Sequence, residues 1–194
     1  MTTGREPGRA WLADRHSEVA AERILDAAGE LFTDHDPGSV GMAEIAAAAG
    51  CSRATLYRYF ENRDALHRAY VHREARAAAA RLTERLAGVD DPRERLVTGM
   101  TQAIALVREN PALAAWFART DPLGSELAER SEVITAMVAA FLTRLGAADP
   151  DTVQRRARWA VRMITALMVF PGRDAAEESA MLTEFVAPVL LPET

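Results

Sequence analysis

Ser52, Arg53, Thr55, Tyr57 and Arg58 fall within one short segment and carry between them the donors needed to grip a nucleic-acid duplex. Hydroxyls such as those of Ser52, Thr55 and Tyr57 suit phosphate oxygens, contacts that position a protein without reporting sequence. A guanidinium such as that of Arg58 sets two N–H groups on O6 and N7 of guanine, and that contact does report sequence. Arg53 is long enough to reach either kind of acceptor. Ala54 is small and lets the backbone approach the base edges.

These side chains act together only if one helix presents them. With Leu56 and Phe60 pointing inward, a rotation of about 100° per residue turns Ala54 and Arg58 outward and puts Thr55 and Tyr57 on the flanks. The preceding residues supply the support. Ala46 is small where an earlier helix would touch, Gly50 four residues later offers a positive-φ turn, and Leu56 plugs the shared core. Ser52 is placed to cap the second helix. The spacing predicts a helix-turn-helix whose second helix reads DNA. The alternative on the same residues is a packed helical hairpin with a solvated polar face.

From about Val19 to Tyr70 the chain resembles the TetR family of one-component transcriptional regulators. The resemblance rests on Arg23-Ile-Leu-Asp-Ala-Ala-Gly-Glu-Leu-Phe32, Ala43-Glu-Ile-Ala46, Ala49-Gly-Cys-Ser-Arg-Ala-Thr-Leu-Tyr-Arg-Tyr-Phe60 and Asn62-Arg-Asp-Ala-Leu66. Carried over by position, it implies backbone contacts from Tyr57 and Tyr59, base-facing roles for Arg53, Ala54 and Arg58, and a phosphate grip from Arg63. One position departs from the pattern. Where the family commonly has Thr or Ser opening the second helix, this chain has Gly41 after Val40. Glycine caps a helix acceptably but has no hydroxyl, so a phosphate there meets backbone N–H groups or nothing.

A net charge of −5 looks wrong for a DNA binder until it is divided along the chain. Residues 17–50 carry one Arg against seven acids, whereas 51–76 carry six Arg against three, so the positive charge sits on the reading helix and its successor. A local patch suffices over a Debye length of about 8 Å. All 23 basic residues are Arg, a bias that a GC-rich coding sequence explains better than DNA binding does. Cys51 stands alone, and at a tight turn it reads as small apolar packing in preference to a redox sensor.

The fold class predicted is all-α, with about nine helices. Residues 17–34 place Ala20, Ile24, Ala27, Ala28, Leu31 and Phe32 on one stripe that covers the helix-turn-helix. Asn62 caps a long fourth helix to about Leu86, and further helices fall at roughly 92–109, 111–119, 125–145, 151–170 and 175–190. They are divided by Gly88, Asp91-Pro92, Asn110-Pro111, Asp121-Pro122, Gly146, Asp149-Pro150 and Pro171-Gly172. Pro188 kinks or stops the last of them. The domains expected are a flexible arm over 1–16, a helix-turn-helix domain over 17–62 and an effector-binding and dimerisation domain over 63–194.

The candidate effector pocket comprises Met100, Ile104, Val107, Trp116, Phe117, Met137, Phe141, Trp159 and Met163, with Leu113 and Leu167 nearby in type. Methionines and aromatics suit an adaptable site, although a helical core buries the same residues, and the family resemblance favours an effector cavity here. Arg162 lies among Trp159, Met163 and Leu167, where it meets a ligand carboxylate or a protein carboxylate such as Glu178 or Glu184. The last two helices are apolar on more than one face, which suggests pairing with their symmetry mates in a homodimer.

Catalysis finds no support. His67 and His72 are five apart, not the three or four that align metal ligands on a helix, and His16 and His35 are remote from them. No phosphate loop, Cys pair or nucleophile elbow occurs, and neither a cofactor nor a metal is expected. No apolar run approaches the ~20 residues of a membrane span, and no signal peptide is evident, so a cytoplasmic protein is expected. The function read is a ligand-responsive repressor that binds a roughly palindromic DNA operator as a homodimer and is released by a small, hydrophobic effector. The alternative is a helical binding protein or enzyme with a non-functional helix-turn-helix.

Overall fold

A computed structural model describes residues 7–118, 123–146 and 149–191, with side chains from residue 18 onward. Every regular element among the described residues is helical. The chain divides into two compact units, 1–70 and 71–194. The division falls inside the fourth helix, eight residues later than the boundary expected at 62.

The first unit holds α1 (Pro7–Asp34), α2 (Met42–Ala48), α3 (Arg53–Tyr59) and the opening turns of α4 (Arg63–Arg85). Its core is assembled from one stripe per helix: Ile24, Ala28 and Phe32 of α1, Ile45 and Ala46 of α2, Leu56 of α3, and Leu66 and Tyr70 of α4 are all buried. The helical stripe thus lies where the period places it. The start of α1 does not. It begins at Pro7, so residues 7–16 are helical where an arm was expected, and a proline fits a first turn because its missing N–H has no partner there. Residues 1–6 of that arm lie outside the described residues.

In the second unit α4 continues and is joined by α5 (Pro92–Arg108), α6 (Pro111–Ala114), α7 (Leu123–Glu129), α8 (Glu132–Arg144), α9 (Pro150–Val169), α10 (Ala175–Met181) and α11 (Ala187–Leu190). The Asp-Pro and Asn-Pro steps are N-caps followed by a first-turn proline. Asp91, Asn110 and Asp149 accept from the backbone N–H groups of Glu94, Ala112 and Thr152 at 2.7, 3.1 and 2.8 Å. The single helix expected over 125–145 is two, because the buried Ser131 accepts from Ile134 N–H at 3.1 Å and starts α8 afresh. The helix expected over 111–119 is only the short α6 and a turn, and Asp121-Pro122 lies outside the described residues.

Pro188 neither stops nor simply kinks the last helix. Leu182–Val186 adopts π-helical geometry between α10 and α11, which widens the turn that would otherwise set the proline ring against the carbonyl four residues back. Leu182, Val186 and Leu190 of this segment join Leu96, Met100, Leu142, Val153 and Ala157 in one core cluster. The terminal helix is therefore part of the second unit's own core. No helix of the described residues is long and apolar enough to cross a membrane.

Candidate nucleic-acid interface and apolar cavity

The turn between α2 and α3 is fixed by two backbone bonds. Gly50 takes φ +66°, its N–H donates to Ala47 O at 3.1 Å, and Cys51 N–H donates to Ala46 O at 2.9 Å, the reciprocal pair that closes a helix on a left-handed residue. A side chain at Gly50 would be strained whatever space it found. Cys51 is half-buried. Ser52 then opens α3, its Oγ accepting from Thr55 N–H at 3.0 Å and lying 2.9 Å from the Thr55 hydroxyl. Ser52 is thus committed to capping as predicted, its Oγ also hydrogen-bonded to the Thr55 hydroxyl.

The rotation predicted for α3 is the one observed. Leu56 and Phe60 are buried, while Ser52, Arg53, Ala54, Tyr57 and Arg58 are exposed and Thr55 and Tyr59 are half-buried. The Arg58 guanidinium lies 5.2 Å from the centre of the Tyr59 ring and donates to its hydroxyl at 3.3 Å. Stacking restricts the flexible guanidinium before any DNA arrives and so reduces the entropy of ordering it. Gly41 caps α2 with no side-chain bond, and the Glu44 carboxylate reaches back to the Gly41 N–H only at 3.5 Å. Arg63 is less free than its expected role requires: its Nη1 donates to Gly38 O at 2.8 Å, tying the start of α4 to the loop before α2. Its remaining N–H groups are the ones left for phosphate.

Behind Arg63, His67 is buried in the first unit's core. Its ring meets Phe32 edge-on at 5.7 Å, and Tyr70 meets Phe32 likewise at 5.1 Å. Burial, reinforced by the Arg63 charge and opposed by Asp64 and Asp36, pushes the imidazole pKa from 6.5 down to about 4. His67 is a neutral core residue at physiological pH. Sequence alone showed only its spacing from His72, whose Nε2 lies 2.8 Å from the Ser131 hydroxyl.

The second unit contains a partly open cavity of about 600 Å3, lined by α4, α5, α8 and α9 and by residues of α6, α7 and the segment between them. Of the residues predicted to line it, Met100, Val107, Trp116, Phe117, Met137 and Phe141 do so. Two glycines make room for the aromatics. A Cβ at Gly99 would meet Phe141 Cζ at 3.0 Å, and one at Gly124 would meet Phe117 Cζ and Trp116 Cβ at 2.9 Å. Ile104, Trp159 and Met163 are not in the lining. Ile104 is buried in packing, and Met163 packs on the core cluster. Trp159 is 40% exposed, because α9 turns Ala160, Val161 and Ile164 to the cavity and Trp159 away from it.

Arg162, exposed on α9, approaches Glu129 of α7 at 3.4 Å, and neither Glu178 nor Glu184 is its partner. Glu178 instead belongs to Arg108. The two side chains pair through both oxygens at 2.8 Å, Gly172 N–H adds a bond to Glu178 at 3.0 Å, and Arg108 also donates to Leu167 O at 2.9 Å. These bonds hold the Glu178 carboxyl below its ordinary range although it is buried, and raise the Arg108 guanidinium. The pair fastens the end of α5 to the end of α9 and to α10. Among the described residues no three His, Cys, Asp or Glu side chains are grouped to hold a metal ion.

A tight helical turn, a short second helix with its polar residues outward and an apolar cavity in a separate unit define a helix-turn-helix regulator of transcription. The model for bacterial regulatory proteins of the tetR family matches residues 24–70. Over 186 residues the chain is 59% identical to an uncharacterised HTH-type transcriptional regulator of Mycobacterium tuberculosis, Rv1255c, covering 95% of this chain and 92% of that one. It is 30% identical over 179 residues to the HTH-type transcriptional repressor LfrR of Mycolicibacterium smegmatis, covering 89% and 87%. Among solved structures RolR in complex with resorcinol superposes with a TM-score of 0.64 at 18% identity, covering 93% of this chain and 97% of that one. The chain belongs to the TetR family of DNA-binding transcriptional regulators, a class of regulators and not of enzymes.

Proposed function

We propose that the protein is a repressor that binds a palindromic operator as a homodimer and leaves it when a small apolar molecule fills the cavity. The observation that carries this reading is the presence in one chain of an exposed reading face on α3 and a cavity lined mainly by apolar side chains. Ser52, Thr55, Tyr57, Tyr59, Arg63 and the N–H groups after Gly41 serve phosphate, and Arg53, Ala54 and Arg58 face bases. One helix serves both units. A ligand lying on α4 beyond Val71 acts on the helix whose first turns belong to the DNA-binding unit, and it shifts the equilibrium by its difference in affinity for the two forms. The likeness to LfrR supports repression, and RolR with resorcinol supports a small-molecule effector. The site of action is the cytoplasm, where the operator is.

Arg58→Ala is expected to weaken operator binding by about 1–3 kcal/mol and to relax base preference at one position of each half-site. Titrations on a panel of single-base operator variants check this, and equal losses on specific and random duplexes would move Arg58 to the phosphate backbone. Homodimerisation is supported by the apolar residues that unit 2 leaves in water: Trp159 of α9, Phe170 just after it, and Phe185 and Val189 of the terminal segment are 40, 77, 63 and 54% exposed. Phe185→Asp leaves the core cluster intact and is expected to yield a folded monomer in sedimentation. A dimer that persists in this variant would place the interface elsewhere. Loss of operator binding on adding a ligand known to occupy the cavity tests the release step.

A further inference from the structure

The cavity has a shape that restricts what fills it. On α4 its lining runs from Val71 to Leu86 at intervals of three and four residues, with Ala75, Ala78 and Ala79 in the middle. At 1.5 Å per residue these positions extend about 22 Å along one helix face. The α5 wall runs from Arg95 to Val107, about 18 Å, with Gly99 and Ala103 as its small residues. The lining thus follows α4 and α5 over several turns each.

Charge lies at its ends. At the Val71 end the Glu74 carboxylate is already neutralised, taking Arg73 at 3.0 Å and Asn110 Nδ2 at 3.4 Å. Toward the Leu86 end the lining includes two arginines, the half-buried Arg95 of α5 and Arg144, which is exposed in the last turn of α8. Their common location follows from Gly99, whose Cβ would touch both Phe141, one turn before Arg144, and Leu86. The Nη1 of Arg95 donates to Leu86 O and Val89 O at 2.8 Å each, so only carbonyl dipoles answer its charge. Of the acids close to Arg95 in sequence, Asp91 caps α5, and Asp90 and Glu94 are exposed. Arg144 pairs with no carboxylate among the described residues.

We propose that the cavity takes a long-chain monocarboxylate, its extended apolar chain along the alanine face of α4 and its carboxylate between Arg95 and Arg144. This rests on the reading of the cavity as the effector site and names the ligand class. Two guanidiniums without a protein carboxylate favour an anion, and a chain of methylenes gains burial with each carbon that stays inside. The end near Trp116 and Phe117 receives the tail.

The test is calorimetric titration of the full chain with palmitate, with hexanoate and with hexadecyltrimethylammonium, all below micelle formation. Palmitate is expected to bind saturably, one per chain, with hexanoate at least about a hundredfold weaker and the cation weaker than palmitate. Arg144→Glu should weaken palmitate at least about tenfold, the loss of one charge-assisted contact, while improving the cation. Ala79→Phe, which fills the middle of the channel, should move the preference from palmitate to decanoate, with thermal melts confirming that both variants fold. Hexanoate as tight as palmitate, a cation preferred by the unaltered chain, or an unchanged length preference in Ala79→Phe would each overturn the assignment. Palmitate that binds as described without releasing operator DNA would uphold the ligand class and overturn the regulatory reading of the site instead.

Discussion

Glu178→Ala is expected to lower the stability of the second unit by about 2 kcal/mol, because it removes two bonds from Arg108, which is 39% exposed and keeps some solvent, and leaves the Gly172 N–H without its acceptor. The loss is larger than for an exposed ion pair, since Glu178 is 2% exposed and its carboxylate is almost wholly dependent on Arg108 and Gly172 for solvation. Arg108→Ala in the same background should cost little more, as the two side chains act as one unit. Urea unfolding of the single and double variants measures this. A Glu178→Ala loss below about 1 kcal/mol would mean that water reaches the carboxylate and that the joint between α5, α9 and α10 is held by packing alone.

The second large effect is a loss of stability in mild acid that originates at His67. With its folded pKa near 4 and an unfolded value of 6.5, the unfolded chain binds more protons throughout that interval, so stability falls as pH drops from 6.5 to 4. The complete loss is about 3 kcal/mol. Glu178 is depressed below 4.5 and contributes stability present above that value, lost only as pH falls further through its folded pKa. The two windows separate the two groups. His67→Phe, which keeps an aromatic ring against Phe32, should flatten the pH 4–6.5 slope of the melting temperature and leave the steeper loss at lower pH. An unchanged slope in that variant would show that the imidazole is solvated in the folded state.

The reading face was legible in the sequence because it depends on local rules. Leu56 and Phe60 fix the rotation of α3, Gly50 fixes the turn, and Ser52 fixes the start, each through its own backbone or its nearest neighbours. The cavity was legible only in part. Met100, Trp116 and Phe141 could be chosen by size and type, but Trp159 and Met163 satisfy the same criteria and face away, because sequence does not say which face of α9 meets α8. The small face of α4 gives no such sign. Ala75, Ala78 and Ala79 suit any helix, yet at the cavity positions they leave the space that larger side chains would fill. The break at Ser131 was hidden because neither Gly nor Pro marks it, and a buried serine cap looks like any polar residue in a helical pattern.

Binding selection from a pool of randomised DNA duplexes tests the central claim, that α3 of a dimer reads a two-fold site, most directly. The expected result is one enriched inverted repeat with half-sites about 34 Å apart centre to centre or a multiple of it, and loss of preference at one position per half-site when Arg58→Ala is used for the selection. A pool retained without any enriched sequence, or an Arg58→Ala protein that selects the same site with the same preference at every position, would contradict it.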